Sequence, residues 1–186
     1  AVGYLAHQGD GTVNTVMGSW AMDNASGQAD MCIAIGNSSL RGDLTADADG
    51  TVAVGRSALT ALTSGQKNAA LGYQAGLETT IGDSNIAIGY QALVGDGAFQ
   101  NNDNIAIGSS NPDGTLAAMG GQWVTAASSQ NIAIGTGSMA GAMNAATENT
   151  AIGYGALGAL TEGGHNIAFG GSSMGGMLTG NQNAGI

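Results

Sequence analysis

Few residues of this chain are of types that do chemistry, and their spacing limits what they can do. Asp47-Ala48-Asp49-Gly50 has the alternating carboxylates that open a calcium loop. Neither the later bidentate Glu nor the six-ligand spacing follows, so the segment reads as a solvated turn. His7 and His165 stand near opposite ends of the chain, and neither has a nucleophile or a second imidazole at a catalytic or metal-ligand spacing. Cys32 is the single cysteine, which excludes an intrachain disulfide. Arg41-Gly42-Asp43 spells a tripeptide read by some cell-surface receptors, though three residues match easily by chance. Most Asp and Glu fall singly on short connections, where the paired carboxylates of a glycan-cleaving site would be needed. No phosphate-cradling loop is present. The expectation is a chain with no enzymatic activity, no cofactor and no metal.

Residues 109–130 offer a different possibility. There Asn111-Pro112 interrupts an otherwise regular pattern, and Pro ends regular strand pairing. The following stretch holds Met119, Gln122 and Trp123, large side chains in an aromatic-poor sequence. Loops on rigid scaffolds are where binding concentrates, so these three are the candidate receptor contacts.

What must position them is a repeat. Gly3, Gly18, Gly36, Gly55, Gly72, Gly89, Gly108, Gly135, Gly153 and Gly170 recur at 15 to 19 residues, with one gap of 27 across the interruption. Such a period is the signature of a solenoid. The type copy is Asn85-Ile86-Ala87-Ile88-Gly89-Tyr90-Gln91-Ala92-Leu93. Two residues before the glycine stands Ala in nine of the ten copies, among them Ala70, Ala87, Ala106, Ala133, Ala151 and Ala168. Four before it stands Asn68, Asn85, Asn104, Asn131, Asn149 or Asn166, with Cys32 and Thr51 as substitutes.

Asn-Ile-Ala-Ile alternates with period two, so the Ile side chains share one face of a short strand and Asn and Ala the other. The Ile face is the expected core. The constancy of Ala then asks for something packed close against the opposite face, most economically another copy of the chain, which makes those alanines the candidate oligomer contacts. The Leu or Met four residues after the glycine should return to the interior on a second short strand. One repeat is then one coil, and ten coils at about 4.8 Å each make a rod of roughly 50 Å. The asparagines should form a ladder along it, each amide satisfied by its neighbours. Tyr73 and Tyr90 fall at the same position in successive coils, and Tyr4 and Tyr154 share that position in distant ones; such a row could offer stacking faces to sugars, but rings on adjacent coils should stack on each other.

Composition agrees with a rod. The chain has 34 Gly, one Pro and 9% charged residues, against about 25% charged in ordinary domains. Thirteen acids face only Arg41, Arg56 and Lys67, for a net charge of −10, the wrong sign for a nucleic-acid surface. No apolar run reaches the ~18 residues of a membrane span. Three or four aliphatic side chains per coil make a thin core, so oligomerisation is expected to add burial. Because the chain starts and stops inside copies of the motif, it reads as one solenoid segment, residues 1–186, of a longer fibre polypeptide.

The copies at Asn85–Leu93 and at Asn149-Thr150-Ala151-Ile152-Gly153-Tyr154-Gly155-Ala156-Leu157 resemble the head repeats of YadA-like trimeric autotransporter adhesins and the similar repeats of bacteriophage tail fibres. The resemblance covers nearly the whole chain. It implies an all-β, left-handed parallel β-roll in which three chains pack side by side about a threefold axis. Adhesin heads usually have repeats of about fourteen residues with Ser or Ala where Asn stands here, so the phage-fibre version is the nearer one. The implied function is a structural and host-attachment segment of a trimeric tail fibre on the virion, meeting a cell-surface receptor such as a glycan or an outer-surface protein. The alternative is the head of a bacterial surface adhesin.

Overall fold

A computed structural model describes residues 2–5, 11–25, 29–44, 48–94, 100–110, 117–119 and 127–186. One short strand recurs per coil: β1 (Thr15–Met17), β2 (Ile33–Ile35), β3 (Val52–Val54), β4 (Ala69–Leu71), β5 (Ile86–Ile88), β6 (Ile105–Ile107), β7 (Ile132–Ile134), β8 (Thr150–Ile152), β9 (Ile167–Phe169) and β10 (Ala184–Gly185). They form one parallel sheet whose spatial order is the chain order. Ala87 lies opposite Ala70 and Ala106, and Ile88 opposite Leu71 and Ile107. The chain is therefore a parallel β-solenoid with like residues stacked coil on coil.

The two faces of the strand are the reverse of the expected ones. Ala70, Ala87, Ala106, Ala133, Ala151 and Ala168 are at most 2% exposed within the single chain, so they line the interior of the coil and are not a surface awaiting a partner. The flanking Ile, Val and Leu side chains point outward and are half-buried or exposed. The cause is the bore of the coil, which is too narrow for branched side chains from the strand once the opposite wall sends in Leu and Met.

That wall supplies Met22, Leu40, Leu59, Leu93, Met139 and Leu157, all nearly or fully buried. A second row behind it adds Leu44, Leu62, Met143 and Leu160. The wall is built of turns, where a second strand was expected. In the copy of Gly89, Gln91 and Leu93 have φ of +51° and +56°, and Ser84, just before Asn85, has +57°. Left-handed geometry costs about 1–2 kcal/mol for a residue with a side chain. Stacking offsets the cost, because each of these N–H groups donates to an adjacent coil: Ser84 to the Gln66 carbonyl, Gln91 to Tyr73 and Leu93 to Ala118. Gly89 itself has φ +125°, and a Cβ there would stand 2.0 Å from the Gly108 carbonyl oxygen. Only glycine fits a corner where coils touch this closely.

The interruption also differs from its expected form. Ser110 still donates to the Tyr90 carbonyl, and Ala118-Met119 takes up the small-then-large pair of the wall, with the Met119 N–H donating to the Ser138 carbonyl. Met119 is fully buried in the Leu/Met row. It is therefore a core residue, and the reading of Met119 as a receptor contact is corrected. Gln122 and Trp123 lie outside the described residues.

Candidate functional site

The site of interest extends over the whole rod: a polar spine that holds the coils in register, an outward apolar face, and an edge that carries the tyrosines.

The spine is the asparagine ladder. Asn85 donates from its backbone N–H and its Nδ2 to Asn68 Oδ1, at 2.9 and 3.2 Å, and from Nδ2 to the Asn101 carbonyl at 2.6 Å. Its own Oδ1 accepts the backbone N–H and the Nδ2 of Asn104, at 3.0 and 3.2 Å. Both amide hydrogens and both lone pairs are used, which is what a buried amide requires. The same pattern runs through Asn131, Asn149, Asn166 and Asn183. The substitutes keep the donor half of the role. Cys32 Sγ donates to the Ala48 carbonyl at 3.3 Å and Thr51 Oγ1 to the Gly65 carbonyl at 3.4 Å, the same carbonyl position that the asparagines reach. Burial pushes the Cys32 thiol pKa up from its ordinary value.

A second ladder, two residues before the first, was missed in the sequence. The Asp30 N–H donates to Asp49 Oδ1 at 2.7 Å, Gln66 N–H to Asp83 Oδ1 at 2.9 Å, Asp83 N–H to Asn102 Oδ1 at 2.8 Å, and Gly164 N–H to Asn181 Oδ1 at 2.7 Å. Each carboxylate or amide captures a backbone N–H of the preceding coil. The signal was legible as Asp or Asn two places before the repeat's Asn position, in Asp30, Asp49, Asp83, Asn102 and Asn181. Asp49, read above as part of a solvated turn, belongs to this ladder.

The outward face carries two rows along the rod: Ile33, Val52, Ile86, Ile105, Ile132 and Ile167 on one side of the alanines, Met17, Leu71, Ile88, Ile107, Ile134 and Phe169 on the other. Leu71, Ile167 and Phe169 are more than half exposed. No charged side chain interrupts either row from β2 to β9.

On the edge after the glycine corner, the Tyr73 and Tyr90 rings stack at 5.5 Å and 5°, and the Arg56 guanidinium sits 5.6 Å from the Tyr73 ring. Farther along, Trp20 lies edge-on to Tyr4 at 6.5 Å and under the Arg41 guanidinium at 5.5 Å. Arg41 Nε also holds Asp23 Oδ1 at 3.1 Å. The first residue of Arg41-Gly42-Asp43 is thus engaged by its own rod, and a Cβ on Gly42 would collide with the Leu62 carbonyl, so Gly42 sits close against the next coil while Asp43 is exposed. His165 in its connecting loop pairs with Glu148 at 3.0 Å, both half-exposed. Among the described residues, no three His, Cys, Asp or Glu side chains gather where they could hold a metal ion.

Comparison of the chain with protein-family models, with curated proteins and with solved structures gave no match.

Proposed function

We propose that this chain is a β-roll segment of a trimeric tail fibre, three left-handed rods packed side by side, whose work is to project a receptor-binding tip and carry attachment along its length. The carrying observation is the outward apolar face, which keeps Ile, Val, Leu, Met and Phe in register over nine strands. A partly exposed apolar face that runs from strand to strand in this way marks an association surface, and on a rod of stacked equivalent coils its natural partner is an identical rod. The expectation of self-assembly is kept, and the contact moves from the alanines to the isoleucines. The asparagine ladder supports the tail-fibre version of the repeat over the bacterial adhesin head, where Ser or Ala takes that place. Stacked coils supply stiffness, and three copies supply multivalent contact, which raises avidity without new chemistry.

The test is the mass in solution. Light scattering should give three times the 18.1 kDa of one chain, and a folded monomer at micromolar concentration would refute the proposal.

A further inference from the structure

All four tyrosines of the chain, Tyr4, Tyr73, Tyr90 and Tyr154, stand one residue after a motif glycine and so fall in one column along the rod. Three are engaged by ring or cation partners: Tyr73 and Tyr90 by each other, Tyr73 also by Arg56, and Tyr4 by Trp20. Tyr154 is 61% exposed, and among the described residues no ring or cation lies against it. Its column neighbours, Thr136 and Gly171, are too small to cover a ring.

Beside Tyr154 opens a groove of about 420 Å³, lined further by Gly137, Gly155, Gly158, Ser172 and Gly176. In other coils the fifth residue after the motif glycine is Arg41, Thr60, Leu77 or Val94, where here Gly158 and Gly175 stand. At Gly176 neither packing nor a left-handed φ asks for glycine, since a Cβ there would meet nothing within 4 Å. The side chains absent from this wall are what leave the groove open next to the one tyrosine that, among the described residues, has no ring or cation partner.

We propose that this groove binds a neutral pyranose unit of a glycan, with the apolar face of the sugar on the Tyr154 ring. The volume lies in the range of small-molecule sites, which combine an apolar surface with a few polar groups that orient the ligand. Those groups are the Ser172 hydroxyl, 3.7 Å from where a Cβ on Gly155 would stand, and the Gly137 carbonyl, 3.3 Å from a Cβ position on Gly158. Tyrosine suits the task because its ring is rigid, apolar in the body and polar at the tip. No charged side chain lines the groove and the chain carries a net charge of −10, so acidic sugars are disfavoured. The site is complete within one chain, so it does not depend on trimer formation.

Saturation-transfer NMR of the 186-residue chain with the methyl glycosides of glucose, galactose, mannose and N-acetylglucosamine tests this. At least one glycoside should show transfer, reduced fivefold or more both by Tyr154→Ala and by Gly176→Leu, with Tyr73→Ala retaining it. Gly176→Leu adds a side chain into open space, so it blocks the groove without disturbing the coil, and an unchanged circular dichroism spectrum verifies the fold of each variant. Absence of transfer from all four glycosides, survival of transfer in either groove variant, or equal loss in Tyr73→Ala overturns the proposal. Since the mass measurement reads assembly and this one reads sugar contact, failure of either is distinguishable from failure of the other.

Discussion

Asn104 has its whole amide committed to other groups of the coil: Nδ2 to Asn85 Oδ1 and to the Ser128 carbonyl, Oδ1 to the backbone and side-chain N–H groups of Asn131. Asn104→Ala removes one side chain and strands polar groups on both neighbouring coils, each costing about 1–3 kcal/mol when left unpaired. A loss of about 2–4 kcal/mol is expected in denaturant melts, and a variant as stable as the parent would show that water replaces the amide. Ala87 is a sharper case, because its two possible roles give opposite results. Being interior, Ala87→Leu should overpack the coil at a cost of about 1–3 kcal/mol and lower the melting temperature. Loss of assembly with an unchanged melting temperature would instead return the alanines to the interface. Cys32 follows the same logic through its thiol. Desolvation raises its pKa in the folded chain above the ordinary 9.0, so the unfolded chain releases the proton first. Stability is then constant at lower pH and falls as pH rises beyond about 9.0. Cys32→Asn should abolish that fall while supplying the missing rung. Native Cys32 should resist maleimide at neutral pH, and labelling as fast as in the unfolded chain would contradict its burial.

At the scale of the strand, period-two alternation identifies which side chains share a face and is silent on which face turns inward. In an ordinary sheet the bulkier set goes inside, and on that ground Ile86 and Ile88 were expected in the core. Here a strand of three residues closes a coil whose other wall already fills the centre with Leu59, Leu93 and Leu157, and only Ala and a hydrogen-bonded Asn fit against them. The recurrence of Ala in nine of ten copies was the legible clue, and its cause is the bore of one coil. Leu and Met of the wall were rightly read as interior, but not their conformation, because a left-handed φ in Leu93 or Met139 runs against every local preference and is sustained only by stacking. The asparagine ladder was legible as rungs between successive copies, since a polar residue that returns at a buried position must find partners there, but the backbone groups that each amide also binds were not. The groove at Tyr154 was not, because it arises from side chains that three consecutive coils omit. Substituting Lys for Ile88 and Ile107 together should leave the coil folded, as both point outward, and should lower the mass in solution to that of one chain. A fold lost together with the assembly would mean that the face matters to the coil itself.

Over the whole molecule, stability is expected to be a sum over neighbouring coils, since among the described residues each strand pairs only with the one before and the one after. The sheet, the two side-chain ladders, the turn hydrogen bonds and the glycine corners all join one coil to the next along the same axis. Covering the apolar face with identical rods would join many coils at once, and unfolding should then become more cooperative. The expected outcome is a single sharp thermal transition that shifts upward with protein concentration. A transition independent of concentration over a hundredfold range would argue against assembly as a source of stability.

The asparagine ladder also has a direction. Each side-chain carbonyl receives hydrogens from the Asn of the coil that follows it in the chain, while each Nδ2 also gives a hydrogen to a backbone carbonyl of that following coil. The side-chain carbonyls therefore line up head to tail along the rod and polarise one another. A coil thus shows an Oδ1 acceptor and an Nδ2 hydrogen to the coil after it, and a backbone N–H and the other Nδ2 hydrogen to the coil before it, so the two open ends of a stack are chemically unlike and not interchangeable.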